Sequence, residues 1–260
     1  MFEKELEAMI LAGKSASKEV MRIYSTGFNV SKKNDASPVT DADLASNKIL
    51  SKILSQFNEI AWLSEEDADD MTRLNNDLVF IVDPLDGTAD FVNHDDSFGI
   101  NIALTYKKHP VCSVVMIPAQ NTYAYALKGK GTFFVASDGT ETKLHVSDRT
   151  QDLIFLVSKT HREPKEDLLL NQNLDSIKES IPMGASTKAV YLASGKADCS
   201  IRFTTQTKEW DICAPELIVT EAGGLFVDTL KHSFEYNRID VYNKNGYCMF
   251  NRQENMRFLA

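Results

Sequence analysis

Leu78-Val79-Phe80-Ile81-Val82-Asp83-Pro84-Leu85-Asp86-Gly87-Thr88 decides how this chain reads: an apolar run breaks abruptly into two carboxylates and a hydroxyl in one tight turn. An unbroken apolar run of this length suits a buried strand. A hard divalent cation takes oxygen ligands, and Asp83 and Asp86 can reach one ion or bridge two if the segment between them is rigid. Pro84 restricts the backbone there, and Gly87 lets a ligand approach the main chain closely. If a helix opens at Thr88, the N–H groups after Gly87 can face a phosphate. Asp-Pro or Asp-Gly alone would be an ordinary surface turn; the whole hexapeptide directly after a strand is far more specific.

Beyond the turn, strands are expected over 98–106, 111–117 and 121–128, with His109-Pro110 and 119–121 as hairpin turns. With 78–82 they form an antiparallel sheet. Upstream, Leu6, Met9, Ile10, Gly13, Ser17, Val20 and Tyr24 recur at helical intervals, predicting a helix over 3–24 that Gly27 ends. The polar segment 31–40 holds Pro38 and reads as a loop. A second helix is expected over 41–57 with Asp41 and Asp43 in its first turn, then a short strand over 60–63 and an acidic, solvated loop over 64–70. The second half restarts with strands over 153–157, 199–203 and 225–227 and helices over 165–171, 186–194 and 212–222, the last closed by Gly223-Gly224.

The chain has 260 residues, 43% hydrophobic and 25% charged, enough for a substantial core and outside the disordered and fibrous classes. A net charge of -9 disfavours a nucleic-acid polymer as partner, since such binding draws on phosphate neutralisation by a basic surface. Cys112, Cys199, Cys213 and Cys248 are widely spaced, with no zinc-type pairing, and are expected as reduced thiols of a cytoplasmic protein. Glu3, Glu5 and Glu7 stand where a signal peptide is basic, and no stretch approaches the ~18 apolar residues of a membrane span.

Three further pieces accompany the opening stretch: Val39-Thr40-Asp41-Ala42-Asp43, Leu63-Ser64-Glu65-Glu66-Asp67, and Trp210-Asp211 leading into 214–224. Singly, an acidic residue at a helix start is more often an N-cap than a catalyst. Together and in this order, the Glu-Glu pair, the Asp-Pro-x-Asp-Gly-Thr turn and the distant Trp-Asp with its Gly-Gly resemble the magnesium-dependent, lithium-sensitive phosphatase superfamily of inositol monophosphatase, fructose bisphosphatase and the bisphosphate nucleotidases. The resemblance covers nearly the whole chain. It implies an α+β fold, a layered αβαβα sandwich of the sugar-phosphatase type, with sub-domains over 1–147 and 148–260 and the active site between them. It also implies that Glu65, Asp83, Asp86, Asp211 and the Leu85 carbonyl hold two or three Mg2+ ions, with Glu66 beside them as a catalytic residue that holds a water. Thr88 and Asp43 match the pair that orients and deprotonates the attacking water, and the phosphate rests on the backbone of Gly87 and Thr88. So many carboxylates gathered without cations would repel strongly, and magnesium is the natural occupant.

The segments 37–45 and 63–67, and Phe98-Gly99-Ile100-Asn101-Ile102-Ala103-Leu104, look like the bacterial 3'(2'),5'-bisphosphate nucleotidases, which convert 3'-phosphoadenosine 5'-phosphate to AMP in sulfur metabolism. Gly184-Ala185-Ser186-Thr187-Lys188 is similar to their Gly-Ser-Ser-Leu-Lys, and Arg202-Phe203 and Glu209-Trp210-Asp211 to their Arg-Phe and Glu-Trp-Asp. On that likeness Lys188 and Arg202 grip the 5'-phosphate, Ser186 joins the substrate site, and His161 lines the nucleotide pocket. A second phosphate far from the metals needs its own cations. An inositol or related sugar monophosphatase is the enzyme alternative, favoured by Glu221-Ala222-Gly223-Gly224 and by Ala89 where the nucleotidases carry Lys. Pro215 replaces a small residue, usually Gly, in the first turn of the helix expected after Asp211. A silent binding protein would have lost a ligand type, and none is missing. The implied partner is a small nucleotide bisphosphate, with no nucleic-acid polymer and no integral membrane segment. Monomer and homodimer, and peripheral association with the inner membrane, are all compatible with the family.

Overall fold

The periodic first segment forms α1 (Glu3–Thr26) in the computed structural model, which describes residues 2–32, 38–160 and 162–259. It stops where Gly27 takes a φ of 98°, a conformation that favours glycine. Part of the expected loop is a small ribbon, β1 (Val30–Lys32) against β2 (Pro38–Thr40). α2 (Asp41–Leu54) opens on a capping box: the Thr40 hydroxyl accepts from the Ala42 N–H, and Asp43 accepts from the Thr40 N–H. It ends short of residue 57 because the chain closes successive tight turns, Phe57 N–H to the Leu54 carbonyl and Ile60 N–H to the Phe57 carbonyl.

β3 (Ala61–Ser64) pairs parallel with β4 (Leu78–Asp86), whose end runs into α3 (Thr88–Val92). An antiparallel meander of β5 (Gly99–Tyr106), β6 (His109–Ile117), β7 (Thr122–Leu127), β8 (Gly131–Val135) and β9 (Glu141–Leu144) completes a seven-stranded sheet in sequence order. His109 and Pro110 lie in β6, against expectation. The turn is Lys107-Lys108, both at positive φ (50° and 69°), closing a two-residue hairpin between paired Tyr106 and His109. A register shift beside Thr105, the partner of Pro110, accommodates a residue without an N–H.

The second half contains β10 (Leu153–Ser158), α4 (Pro164–Gln172), β11 (Ile177–Met183), α5 (Thr187–Ala193), β12 (Cys199–Arg202), α6 (Glu209–Glu221), β13 (Leu225–Val227) and β14 (Tyr247–Phe250). Its strands form a mixed five-stranded sheet ordered β11-β10-β12-β14-β13. α6 starts a turn earlier than expected, so Asp211 sits within its first turn and Pro215 inside the helix. Lacking an N–H, Pro215 cannot bond back to the Asp211 carbonyl, which drops out of the helical ladder.

The apolar run of β4 is buried on both faces. Phe80 and Val82 face α1 and α2 through Met9, Ala12, Val20, Leu50 and Leu54, while Val79 and Ile81 face α6 through Cys213, Leu217 and Ile218. α5 and α6 lie between the sheets, with Leu156, Phe226 and Met249 of the smaller sheet on their far side. Leu170 of α4 and Phe258 of the final turn cover the outer face of that sheet. The result is an α+β sandwich of five layers, αβαβα, with two sub-domains. All four cysteines are buried free thiols, and no helix among the described residues is long and apolar enough to cross a membrane.

Candidate active site

The end of β4 is kinked. Asp83 pairs with Asn101 and Asp86 with Gly99, so an extra residue bulges from β4 at the Pro84 position. The Asp83 carboxylate accepts the Leu85 N–H at 3.1 Å, and Ser46 of α2 donates to the Pro84 carbonyl at 2.7 Å. Gly87 follows at φ 88°, where a Cβ would meet the Ser97 carbonyl at 3.1 Å and Ala185 at 3.2 Å. The acidic segment after β3 is only partly the solvated loop expected. Residues 67–70 are exposed, but Glu65 and Glu66 are half-buried, and the Glu65 N–H bonds the Val82 carbonyl at 3.2 Å. Asn47 of α2 pins this corner, accepting from Ser64 at 2.8 Å and donating to Asp67 at 2.9 Å.

Glu65, Asp83 and Asp211 bring carboxylate oxygens within 4.8 Å of one another. Burial pushes Asp83 and Asp211 well above the usual carboxylate range, and repulsion from Glu65 and Asp86 adds to both. Asp86 is raised by burial but opposed by the charge of Lys188 and by hydrogen bonds from Ser186 and Asn101. One Asp86 oxygen accepts the Ser186 N–H at 2.6 Å and the Asn101 amide at 3.1 Å. This donor set is all oxygen and all anionic, the chemistry of a hard divalent cation, whose charge would relieve the repulsion.

Beside the cluster, the Thr88 hydroxyl lies 2.9 Å from Asp43 Oδ1 and 3.1 Å from the Leu85 carbonyl. The other Asp43 oxygen is taken by the Thr40 N–H at 2.8 Å and the Thr40 hydroxyl at 2.6 Å. Glu66 adjoins Glu65 but is not among the residues lining the cavity described next.

A cavity of about 720 Å³ opens over this floor, walled by Glu65, Asp83, Leu85, Asp86, Gly87 and Thr88 from the first half and Ser186, Lys188, Arg202 and Asp211 from the second. Lys188 is only 4% exposed. Burial first, then the Arg202 charge, pull its pKa down to about 8, against the pull of Asp86, Asp90 and Glu166. Arg202 gives its Nη1 to both oxygens of Glu166, at 2.6 and 2.8 Å. Ser186 uses its backbone on Asp86, while its hydroxyl is buried without a hydrogen bond, near enough to Gly99 that a Cβ there would lie 2.9 Å from it. His161 lies outside the described residues; its neighbours Thr160 and Arg162 line the cavity. Thr160 donates to Asp90 at 2.6 Å and Lys159 pairs with Asp95, tying the two halves together at the rim.

Four residues of the site escaped sequence reasoning: Asn101, Asp90, Glu166 and Tyr247, the cross-strand partner of Arg202 in the cavity wall. Asn101 carried a signal, an amide inside an otherwise apolar strand; Glu166, in a polar helix start, carried none.

The profile of the inositol monophosphatase family matches residues 2–259. This chain belongs to the inositol monophosphatase family. Among similar members, the 3'(2'),5'-bisphosphate nucleotidase CysQ of Haemophilus influenzae is 31% identical over 257 residues, covering 96% of this chain and 94% of that protein. The crystal structure of CysQ from Bacteroides thetaiotaomicron, a bacterial member of the inositol monophosphatase family, superposes with a TM-score of 0.85 at 27% identity, over 97% of this chain and 99% of that one. An IMPase/NADP phosphatase complexed with Mg2+ and phosphate shares the inositol monophosphatase fold at a TM-score of 0.81 and 19% identity, over 98% of this chain and 94% of that one. Membership makes the chain a phosphatase.

Proposed function

We propose that this phosphatase is a magnesium-dependent 3'(2'),5'-bisphosphate nucleotidase that removes the 3'-phosphate of 3'-phosphoadenosine 5'-phosphate, giving AMP and inorganic phosphate. The observation that carries the reading is the pair of buried cations, Lys188 and Arg202, in the wall of the same cavity as the carboxylate cluster. A monophosphate would need only the cluster. The names of the CysQ relatives support the same choice.

The clustered carboxylates of Glu65, Asp83 and Asp211, with Asp86 and the Leu85 carbonyl beside them in the cavity lining, would hold Mg2+ ions, consistent with an oxygen-only donor set. Bound there, the ions supply a water of lowered pKa and stabilise the departing oxygen. Thr88 donates its proton to Asp43, which leaves the hydroxyl oxygen to accept from the attacking water. Thr40 holds the other Asp43 oxygen and so orients the carboxylate, leaving the oxygen that faces Thr88 to take the proton. The water oxygen forms the new bond to phosphorus as the bond to the ribose 3'-oxygen breaks, and that oxygen gains a proton from solvent. The transferred phosphate lies against the backbone of Gly87 and Thr88, and Lys188 and Arg202 take the 5'-phosphate.

An inositol or related sugar-phosphate phosphatase is the second reading, favoured by Glu166, which cancels the charge of Arg202, and by Ala89, which supplies none. Phosphate release from 3'-phosphoadenosine 5'-phosphate, inositol 1-phosphate and fructose 1,6-bisphosphate with Mg2+ separates the two. The nucleotide should give the highest kcat/KM; a higher value for either sugar phosphate overturns the nucleotidase assignment.

A further inference from the structure

We infer that Asn101 is the positioning residue that sets the metal-binding geometry by joining ligands from both halves of the chain, an inference that rests on the metal-site reading above. Three observations converge on it. The sheet register sets Asn101 of β5 directly opposite Asp83. Its amide nitrogen donates to the Asp86 carboxylate at 3.1 Å and approaches the carbonyl of Trp210, the residue before Asp211, at 3.5 Å. It is 0% exposed, and its own carbonyl oxygen is buried without a hydrogen-bond partner.

The last point gives the arrangement its meaning. Both groups that the amide nitrogen faces are acceptors, so turning the amide over would set oxygen against oxygen; the donor side must face the site. An unpaired buried carbonyl costs stability, and an apolar residue in this strand would avoid that cost. The gain lies in Asp86. With one oxygen held by Asn101 and the Ser186 N–H, the carboxylate is restrained from rotating, and its other oxygen is left for a cation. Through its approach to the Trp210 carbonyl the same amide lies against the first turn of α6, which carries Asp211. Nothing else named at the site contacts one ligand, pairs with a second and borders a third.

Asn101→Leu removes the donor at similar volume, and Asn101→Ala serves as a second variant should leucine disturb packing. Calorimetric titration of the folded proteins with Mn2+ alone should show a dissociation constant raised about 10–100-fold in the variants, the usual cost of losing a group that orients a metal ligand. The Mg2+ concentration giving half-maximal phosphate release should rise in parallel, while kcat at saturating Mg2+ falls by less than about threefold. A purely structural role would lower the melting temperature and kcat and leave the Mn2+ constant in place. Wild-type binding matched by both variants within about twofold overturns this inference alone; wild-type protein that takes up no Mn2+ overturns the metal reading and this inference with it.

Discussion

Lys188→Met tests whether the second-phosphate site is what the cavity wall implies. Methionine keeps most of the side-chain volume and removes the charge. A charge-assisted hydrogen bond contributes roughly 1.5–3 kcal/mol, and each 1.4 kcal/mol is tenfold, so kcat/KM for 3'-phosphoadenosine 5'-phosphate should fall about 10–100-fold. Arg202 makes up only part of the loss, because Glu166 already engages its Nη1 through two contacts. Lys188 also lowers the pKa of Asp86, so its removal disturbs the metal cluster as well. Adenosine 3'-monophosphate separates the effects, since it needs the cluster but has no 5'-phosphate. Rates of phosphate release should be compared for both substrates at saturating Mg2+. The account expects a loss for the monophosphate of no more than about threefold. Equal losses for the two substrates would refute a phosphate-binding role and leave Lys188 as a counter-charge for Asp86.

Thr88→Ala breaks the path from water to Asp43 without touching a carboxylate. It should lower kcat about 100-fold or more with little change in KM, and Thr88→Ser should restore most of the rate; a fall in KM-controlled binding with kcat intact would contradict the assigned pair. Glu216 of α6 offers a pH test away from the site. Burial raises its pKa from an ordinary 4.5 to about 7, with Tyr236 as its hydrogen-bond donor. The folded protein keeps a proton that the unfolded chain releases between those values, so stability falls as pH rises from about 4.5 to 7 and levels off above. Glu216→Gln should remove that fall, making the variant more stable than wild type by up to about 3 kcal/mol at pH 8 and equal to it near pH 4.5. Denaturant unfolding across this range checks it, and parallel stability curves for the two proteins would contradict it.

The layers and the carboxylate floor were legible because both rest on local signals. The run 78–82 is apolar on both pleat faces because helices cover both, and Asp83 to Thr88 carries its own turn chemistry. Lys188 of α5 and Arg202 at the end of β12, far apart in sequence, meet only in the wall of one cavity, so resemblance reached them where periodicity could not. β11 escaped notice because an edge strand with Lys178, Glu179 and Ser180 exposed has no apolar face to reveal it. The hairpin turn at Lys107-Lys108 falls two residues before the expected His109-Pro110; proline signals a turn, while the actual turn uses two lysines at positive φ. Glu166 and Asn101 act through partners 36 and 15 residues away, which no local pattern records.

The account stands or falls on the cluster of Glu65, Asp83 and Asp211 as a cation site that drives phosphate release. The direct measurement is hydrolysis of 3'-phosphoadenosine 5'-phosphate by chelator-stripped protein as Mg2+ is titrated in. The prediction is no turnover above background without the ion, saturable recovery with it, and none at any Mg2+ concentration in Asp83→Asn. Full turnover in the stripped wild-type protein, or in the folded Asp83→Asn variant, would contradict it.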